Sequence, residues 1–241
     1  MSNPKAAIVI IGNEILSGRT LDTNTNTIVK ALNNIGIIVN ETRTIPDNED
    51  IIIETVRELS SKYDYVFTTG GIGPTHDDIT SQALSRAFGV KYCRHPEAYK
   101  IVKELYESRG QEVTPAREKM AYTPQGAELI LNEGTPPGFS IENVYVLAGV
   151  PLIMESMLKN ILPTLKRGEV IESRQLEIMV GESKIATMFE ELQHRYPKVD
   201  MGSYPFIKNN QHGTALVLRS SNYELLDKAY KELEELVNLS K

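Results

Sequence analysis

Apolar residues along the chain fall in short continuous runs, separated by stretches in which they recur every three or four positions. This is the spacing of buried parallel strands joined by helical crossovers. Residues 6–11, AAIVII, carry no polar position on either face and predict a strand buried on both sides. Ile28, Val29, Leu32 and Ile35 then share one helix face, with Gly36 placed to close that helix in a left-handed cap. A second strand starts at 37–39, a helix covers 51–59, and a third strand, 63–68, runs straight into Gly70-Gly71-Ile72-Gly73-Pro74. Helices follow at 81–88, 96–108 and 115–121, the last with Thr114 as N-cap and Pro115 in its first turn. A turn-rich loop at 132–138 precedes a strand at 144–147, and a helix begins near Pro151 and stops between Pro163 and Gly168.

The pattern changes near Arg167-Gly168. Beyond it come a strand at 175–180, a helix at 184–195, strands at 199–203 and 214–219, and a helix at 223–239, which together predict a small α+β unit. The expected organisation is an α/β domain over 1–168 and a small α+β domain over 169–241. There is no internal repeat and no low-complexity tract.

Composition narrows the class of function. With 241 residues, 41% hydrophobic and 24% charged, the chain has ample material for a core. Its net charge of -6, without any block of Lys and Arg, argues against a nucleic-acid partner. The one cysteine, Cys93, forms no internal disulfide and has no second thiol for a zinc site, so a reducing, cytoplasmic location is expected. The early apolar run is far shorter than the ~20 residues that span a bilayer, and no membrane partner is expected.

The strongest candidate for chemistry is the segment from Thr68 through Gly70, Gly71, Gly73, Pro74, Thr75, His76, Asp77 and Asp78 to Thr80. Closely spaced glycines let backbone N–H groups approach an anion, and a helix start beyond them adds a favourable field. Asp77 and Asp78 would repel a phosphate unless a divalent cation neutralised them, so they are candidate metal ligands. The competing reading is a plain turn with an aspartate capping the next helix. The segment lacks the Gly-Lys-Ser/Thr of a P-loop and the spacing of a dinucleotide fingerprint. A second loop, Gly12-Asn13-Glu14-Ile15-Leu16-Ser17-Gly18, follows the first strand, with Asp22 and Asn24 beyond it. In an open α/β sheet this loop and the Gly70 loop converge, although Asp22 and Asn24 are also good helix starters. Asp47 lies after the second strand and either serves the site or caps the helix at Glu49. Gly134-Thr135-Pro136-Pro137-Gly138 and Gly149-Val150-Pro151 are stiff loops that close a pocket or simply turn the chain. His76 has a functional case only through its place in the glycine loop, Cys93 reads as a packing residue, and the charges at 232–235 read as a solvated face.

The run from Gly70 to Thr80 closely resembles the signature of the MogA/MoeA/gephyrin-like molybdopterin-binding superfamily. With the Gly12–Gly18 loop and Asp22-Thr23-Asn24 it resembles the amino-terminal domain of the competence/damage-inducible protein A (CinA) family, over essentially the whole chain. The resemblance implies a MogA-like three-layer, doubly wound, mostly parallel sheet and a site for a pyrophosphate-bearing nucleotide or pterin. It implies divalent-metal-dependent hydrolysis of a nucleotide diphosphate such as ADP-ribose or FAD, with Mg2+, Co2+ or Mn2+ as cofactor and K+ as a further candidate. A homodimer or higher homo-oligomer is also implied. The superfamily's catalytic aspartates match Asp47 and Asp78; Glu14 joins them as a candidate catalytic group, and Asp77 with Asp78 as metal ligands. Expected substrate contacts are Gly70, Gly71, Gly73, Pro74, Thr75, Thr80, Ser17, Gly18, Asn24, Gly134, Thr135, Gly138 and Pro151. Two departures matter: position 13 is Asn where the family commonly has Asp, and the amidase domain of longer members is not matched, so no deamidase activity is expected. A binding module without turnover, and nucleotidyl transfer in molybdenum cofactor assembly, are the competing functions.

Overall fold

In the computed structural model, which describes residues 3–239, the first apolar run forms β1 (Lys5–Ile11), and every residue from Ala6 to Ile11 is buried. Its side chains divide between two cores, Ala6, Ile8 and Ile10 in one and Ala7, Val9 and Ile11 in the other. A strand with alternating faces reaches two cores only when helices cover both sides of its sheet. A short α1 (Asn13–Leu16) leads to α2 (Asn24–Asn33), β2 (Ile38–Ile45), α3 (Glu49–Lys62), β3 (Tyr65–Thr69) and α4 (Thr80–Ala87). Ile28 and Leu32 of α2 pack with Ala6, whereas Ile52, Val56 and Leu59 of α3 and Leu84 of α4 pack with Ala7. Gly36 closes α2 at φ +74, and the Ile37 N–H donates back to the Leu32 carbonyl at 3.0 Å.

The chain then makes an excursion through β4 (Tyr92–Arg94), α5 (Pro96–Glu107), α6 (Pro115–Glu118) and β5 (Tyr122–Pro124), in which β4 and β5 pair antiparallel. It returns as β6 (Glu128–Ile130), β7 (Gly138–Ile141), β8 (Val144–Leu147) and α7 (Pro151–Ile161), whose Met154, Met157 and Leu158 complete the first core. The sheet order is β2-β1-β3-β8-β7-β6, parallel as far as β8 and antiparallel beyond it. The fold is thus a three-layer, mostly parallel α/β fold. The helix expected over 115–121 is broken: α6 ends at Glu118 and residues 119–121 form a separate tight turn. The short strands β4 to β7 were not expected.

A second compact unit starts at Glu169. Its elements are β9 (Glu172–Ile178), α8 (Glu182–Arg195), β10 (Asp200–Lys208), β11 (Gln211–Ser220) and α9 (Tyr223–Leu239), and its antiparallel sheet runs β10-β11-β9. Ile185, Phe189 and Leu192 of α8 meet Leu216, Leu218, Leu226 and Leu233 in its core. The hairpin is longer than expected, since Lys208 pairs with Gln211 across Asn209 and Asn210, both at positive φ (52 and 59). Asparagine tolerates that conformation, and two such residues make the turn that matches strand twist. Among the described residues, no helix is long and apolar enough to cross a membrane.

Candidate functional site

The loops that follow β1, β2, β3 and β8 meet at the carboxyl ends of these parallel strands, where open α/β sheets hold ligands. They enclose a cleft of about 560 Å³, lined among others by Ile11, Glu14, Asp47, Gly70 to Thr75, Asp77, Asp78, Thr135 to Pro137 and Ala148 to Pro151. That size suits a small organic ligand.

Two glycines are required where the third loop threads between its neighbours. Gly70, at φ +101, would place a β-carbon 2.1 Å from the Ile11 carbonyl oxygen, and Gly71, at φ +69, would place one 2.0 Å from Thr80 Oγ1. Thr80 is fully buried behind the loop; its hydroxyl donates to the Gly70 carbonyl and its N–H to the Gly71 carbonyl, each at 3.0 Å. Gly73 has no left-handed φ, but a β-carbon there would sit 2.7 Å from Asp78 Oδ2.

Neither Asp77 nor Asp78 caps α4, whose N-cap position is Ile79 without a side-chain bond. Both turn back onto Thr75. The Thr75 N–H donates to Asp78 Oδ2 at 2.8 Å, and Thr75 Oγ1 lies 2.6 Å from Asp77 Oδ1 and 2.5 Å from Asp78 Oδ2. The Thr75 hydroxyl holds the Asp77 carboxyl below its usual range, helped by the residue's own N–H and the charges of His76 and Lys119. One hydroxyl proton cannot serve two carboxylates at once. Among the described residues no three His, Cys, Asp or Glu side chains gather into a metal cage. Two carboxylates converging on a shared hydroxyl nevertheless fit a hard cation such as Mg2+, which commonly takes one or two carboxylates and completes its shell with phosphate and water.

Asp47 does not cap the helix after it. Asn48 does, accepting from the Ile51 N–H at 3.2 Å, while Asp47 Oδ2 accepts from the Asn13 N–H at 2.8 Å and ties the β2 loop to α1. The carboxylate of Glu14 folds back over Gly12, where a β-carbon would be 2.5 Å from Oε1. Glu14, Asp47, Asp77 and Asp78 therefore face one cleft, and among the described residues no Lys or Arg lines it.

Several expected contacts fall elsewhere. Ser17 and Gly18 are exposed on the turn after α1 and do not line the cleft. Asn24 lines a neighbouring recess of about 60 Å³ that shares Glu14, Thr20, Gly70 and Gly149 with the cleft. Its Nδ2 donates to the Gly149 carbonyl at 2.8 Å, and Asp22 accepts from the Thr25 N–H at the start of α2. Gly134 sits in an exposed turn at φ +70 with open space around it. Gly138 belongs to β7, where a β-carbon would be 2.5 Å from the Val146 carbonyl oxygen, so strand packing requires it. Thr80 supports the loop from behind; Thr135 and Pro151 do line the cleft, while His76 is exposed and Cys93 is a half-buried free thiol in β4. Thr20, Met120, Ile153 and Met157 line the cleft without having been singled out in the sequence. Met120 comes from the tight turn after α6, and nothing local marks it.

Residues 7–167 match the family described as probable molybdopterin binding domain, and residues 171–240 match the family described as FAD synthase, middle domain. A protein of Archaeoglobus fulgidus is 37% identical over 233 residues, covering 96% of this chain and 97% of its own length. Protein PAE0875 of Pyrobaculum aerophilum is 39% identical over 210 residues, 83% of this chain and 79% of its own. The crystal structure of the protein CinA from Thermoplasma acidophilum, of unknown function, aligns with a TM-score of 0.63 at 33% identity, covering 68% of this chain and 99% of its own.

Proposed function

This chain belongs to the probable molybdopterin binding domain family, and from that premise we propose that its cleft hydrolyses a nucleotide pyrophosphate such as ADP-ribose or FAD in the presence of a divalent cation. The observation that carries the reading is the glycine loop beside four carboxylates, with no Lys or Arg in the lining among the described residues. A diphosphate alone would be repelled there, and a divalent cation held by two of the carboxylates would offset that repulsion. Asp77 and Asp78 would hold the cation, which when bound neutralises phosphate charge and makes a water more acidic.

The chain's own residues divide the remaining work. Gly70 and Gly71 bring backbone rather than side chains to the ligand, and the Thr80 hydroxyl keeps that backbone in place. Glu14 or Asp47 accepts the proton as a water oxygen bonds to phosphorus; the bridging P–O bond breaks, and AMP leaves with the second phosphate product. Asp47 is anchored by the Asn13 N–H. Ile72, Met120, Pro136, Pro137 and Val150 offer an apolar wall for a flat ring.

The test is AMP formation from ADP-ribose and from FAD, with Mg2+, Co2+ or Mn2+ and with chelator. Product that depends on the metal supports hydrolysis. Saturable binding without product would instead favour a binding module, and adenylylation requiring ATP and pterin together would favour nucleotidyl transfer. Self-association is part of the same reading, and a concentration-independent mass near 27.0 kDa by light scattering would remove it.

A further inference from the structure

An ammonium stands just outside this acidic cleft. Lys119 opens the tight turn Lys119–Ala121, between Glu118, which pairs with Arg94 at 3.0 Å, and Met120, which lines the cleft. Lys119 Nζ donates to the Thr75 carbonyl at 2.5 Å, on the residue whose hydroxyl sits between Asp77 and Asp78. An ammonium has three donors and this bond uses one of them. Among the described residues Lys119 forms no ion pair. Nearby cations are committed: Arg117 donates to the Glu112 carbonyl and Gln111 Oε1 and lies over the Tyr106 ring, and Arg94 lies over Tyr99 as well as pairing with Glu118.

We infer that Lys119 is a ligand-binding residue, whose ammonium donates to a phosphate oxygen at the edge of the cleft formed by Thr75. The inference rests on the diphosphate reading above. It divides the neutralisation of the ligand between two places: the cation that Asp77 and Asp78 would hold, and the ammonium of Lys119 on the other side of Thr75. A lysine suits this position because its compact charge on a flexible stem shifts from a carbonyl to a phosphate without rebuilding the turn. Local signals in the sequence do not mark it, since Lys119 is 44 positions from Thr75 and the two meet only through the excursion after α4.

The experiment measures the Kd of ADP-ribose with Mg2+ for the wild type, Lys119→Met and Lys119→Arg, at about 0.01 M and about 0.1 M salt, where the screening length is ~30 and ~10 Å. Lys119→Met removes the charge and keeps the stem; it should weaken binding about tenfold at the lower salt, and by clearly less at the higher. Lys119→Arg should stay within about threefold of the wild type, and thermal melts of all three should agree. Unchanged binding by Lys119→Met overturns the inference. So does a loss that is equal at both salts, or one shared by Lys119→Arg, because either marks a role in holding the Thr75 carbonyl. A wild type that fails to bind ADP-ribose with any divalent cation overturns the diphosphate reading, and this inference with it.

Discussion

Gly71→Ala should unfold the rim of the cleft from within. At φ +69 an alanine β-carbon meets its own backbone at a cost of ~1 to 2 kcal/mol. The larger effect comes from Thr80. Its Oγ1 would lie 2.0 Å from the new carbon and its Cβ 3.1 Å, so the side chain must leave, and it has no empty space to enter because Thr80 is fully buried. Its departure breaks the 3.0 Å bond to the Gly70 carbonyl and strands a buried hydroxyl, at ~1 to 3 kcal/mol. The lower entropy of an unfolded chain with alanine offsets ~0.4 to 1 kcal/mol. The expected net loss is about 1 to 5 kcal/mol, or on the order of 10 °C in melting temperature. Urea and thermal melts of Gly71→Ala, Thr80→Ala and the double variant check this. The double variant should lose less than the sum of the two singles, because removing Oγ1 makes room for the alanine. A Gly71→Ala protein within about 0.5 kcal/mol of the wild type would mean that Thr80 does not have to leave its place, as would strict additivity.

Asp78→Asn should leave the melt unchanged, since the amide oxygen still accepts from the Thr75 N–H and the hydroxyl is then free to serve Asp77. ADP-ribose hydrolysis at limiting Mg2+ should fall at least about tenfold, and wild-type turnover under those conditions would take Asp78 out of the mechanism. Asn210→Gly, at φ +59 in the second unit's hairpin, should stabilise that unit by a few tenths to ~1 kcal/mol in a urea melt; a clear loss would mean that the asparagine side chain matters there. Bonds from Lys62, Tyr63 and Arg43 hold the Glu41 carboxyl down at about 2, from an ordinary 4.5. Because the folded value lies below the unfolded one, this contribution is complete above pH 4.5 and is lost as pH falls towards 2. Glu41→Gln should therefore flatten the acid side of the melting-temperature profile, and a profile parallel to the wild type would contradict the assignment.

The elements legible in the sequence are those whose signal is local. Residues 6–11 announce a doubly covered strand because every position is apolar, and Gly36 announces a helix end because glycine enters that φ without steric cost. The glycine loop was legible for the same backbone reason. Elsewhere the local signal was ambiguous and the wrong neighbour could be chosen. Asp47 and Asn48 are both good capping residues, and only their placement shows that Asn48 serves the helix while Asp47 reaches Asn13. Gly138 read as a pocket turn, yet the Val146 carbonyl pressed against it across the sheet is what requires glycine there.

By itself, then, the amino-acid order determined the alternation of strands and helices, the two-part division of the chain, and the loop in which backbone replaces side chains. Those properties depend on periodicity and on φ, which a residue carries wherever it is placed. The resemblance already grouped Glu14, Asp47, Asp77 and Asp78 as site residues; tertiary structure alone decided that, among the described residues, no basic side chain lines their cleft, that Met120 enters it, and that Lys119 reaches Thr75. Charge balance in a site is a sum over segments distant along the chain, and the packing of the α/β sheet brings those segments together.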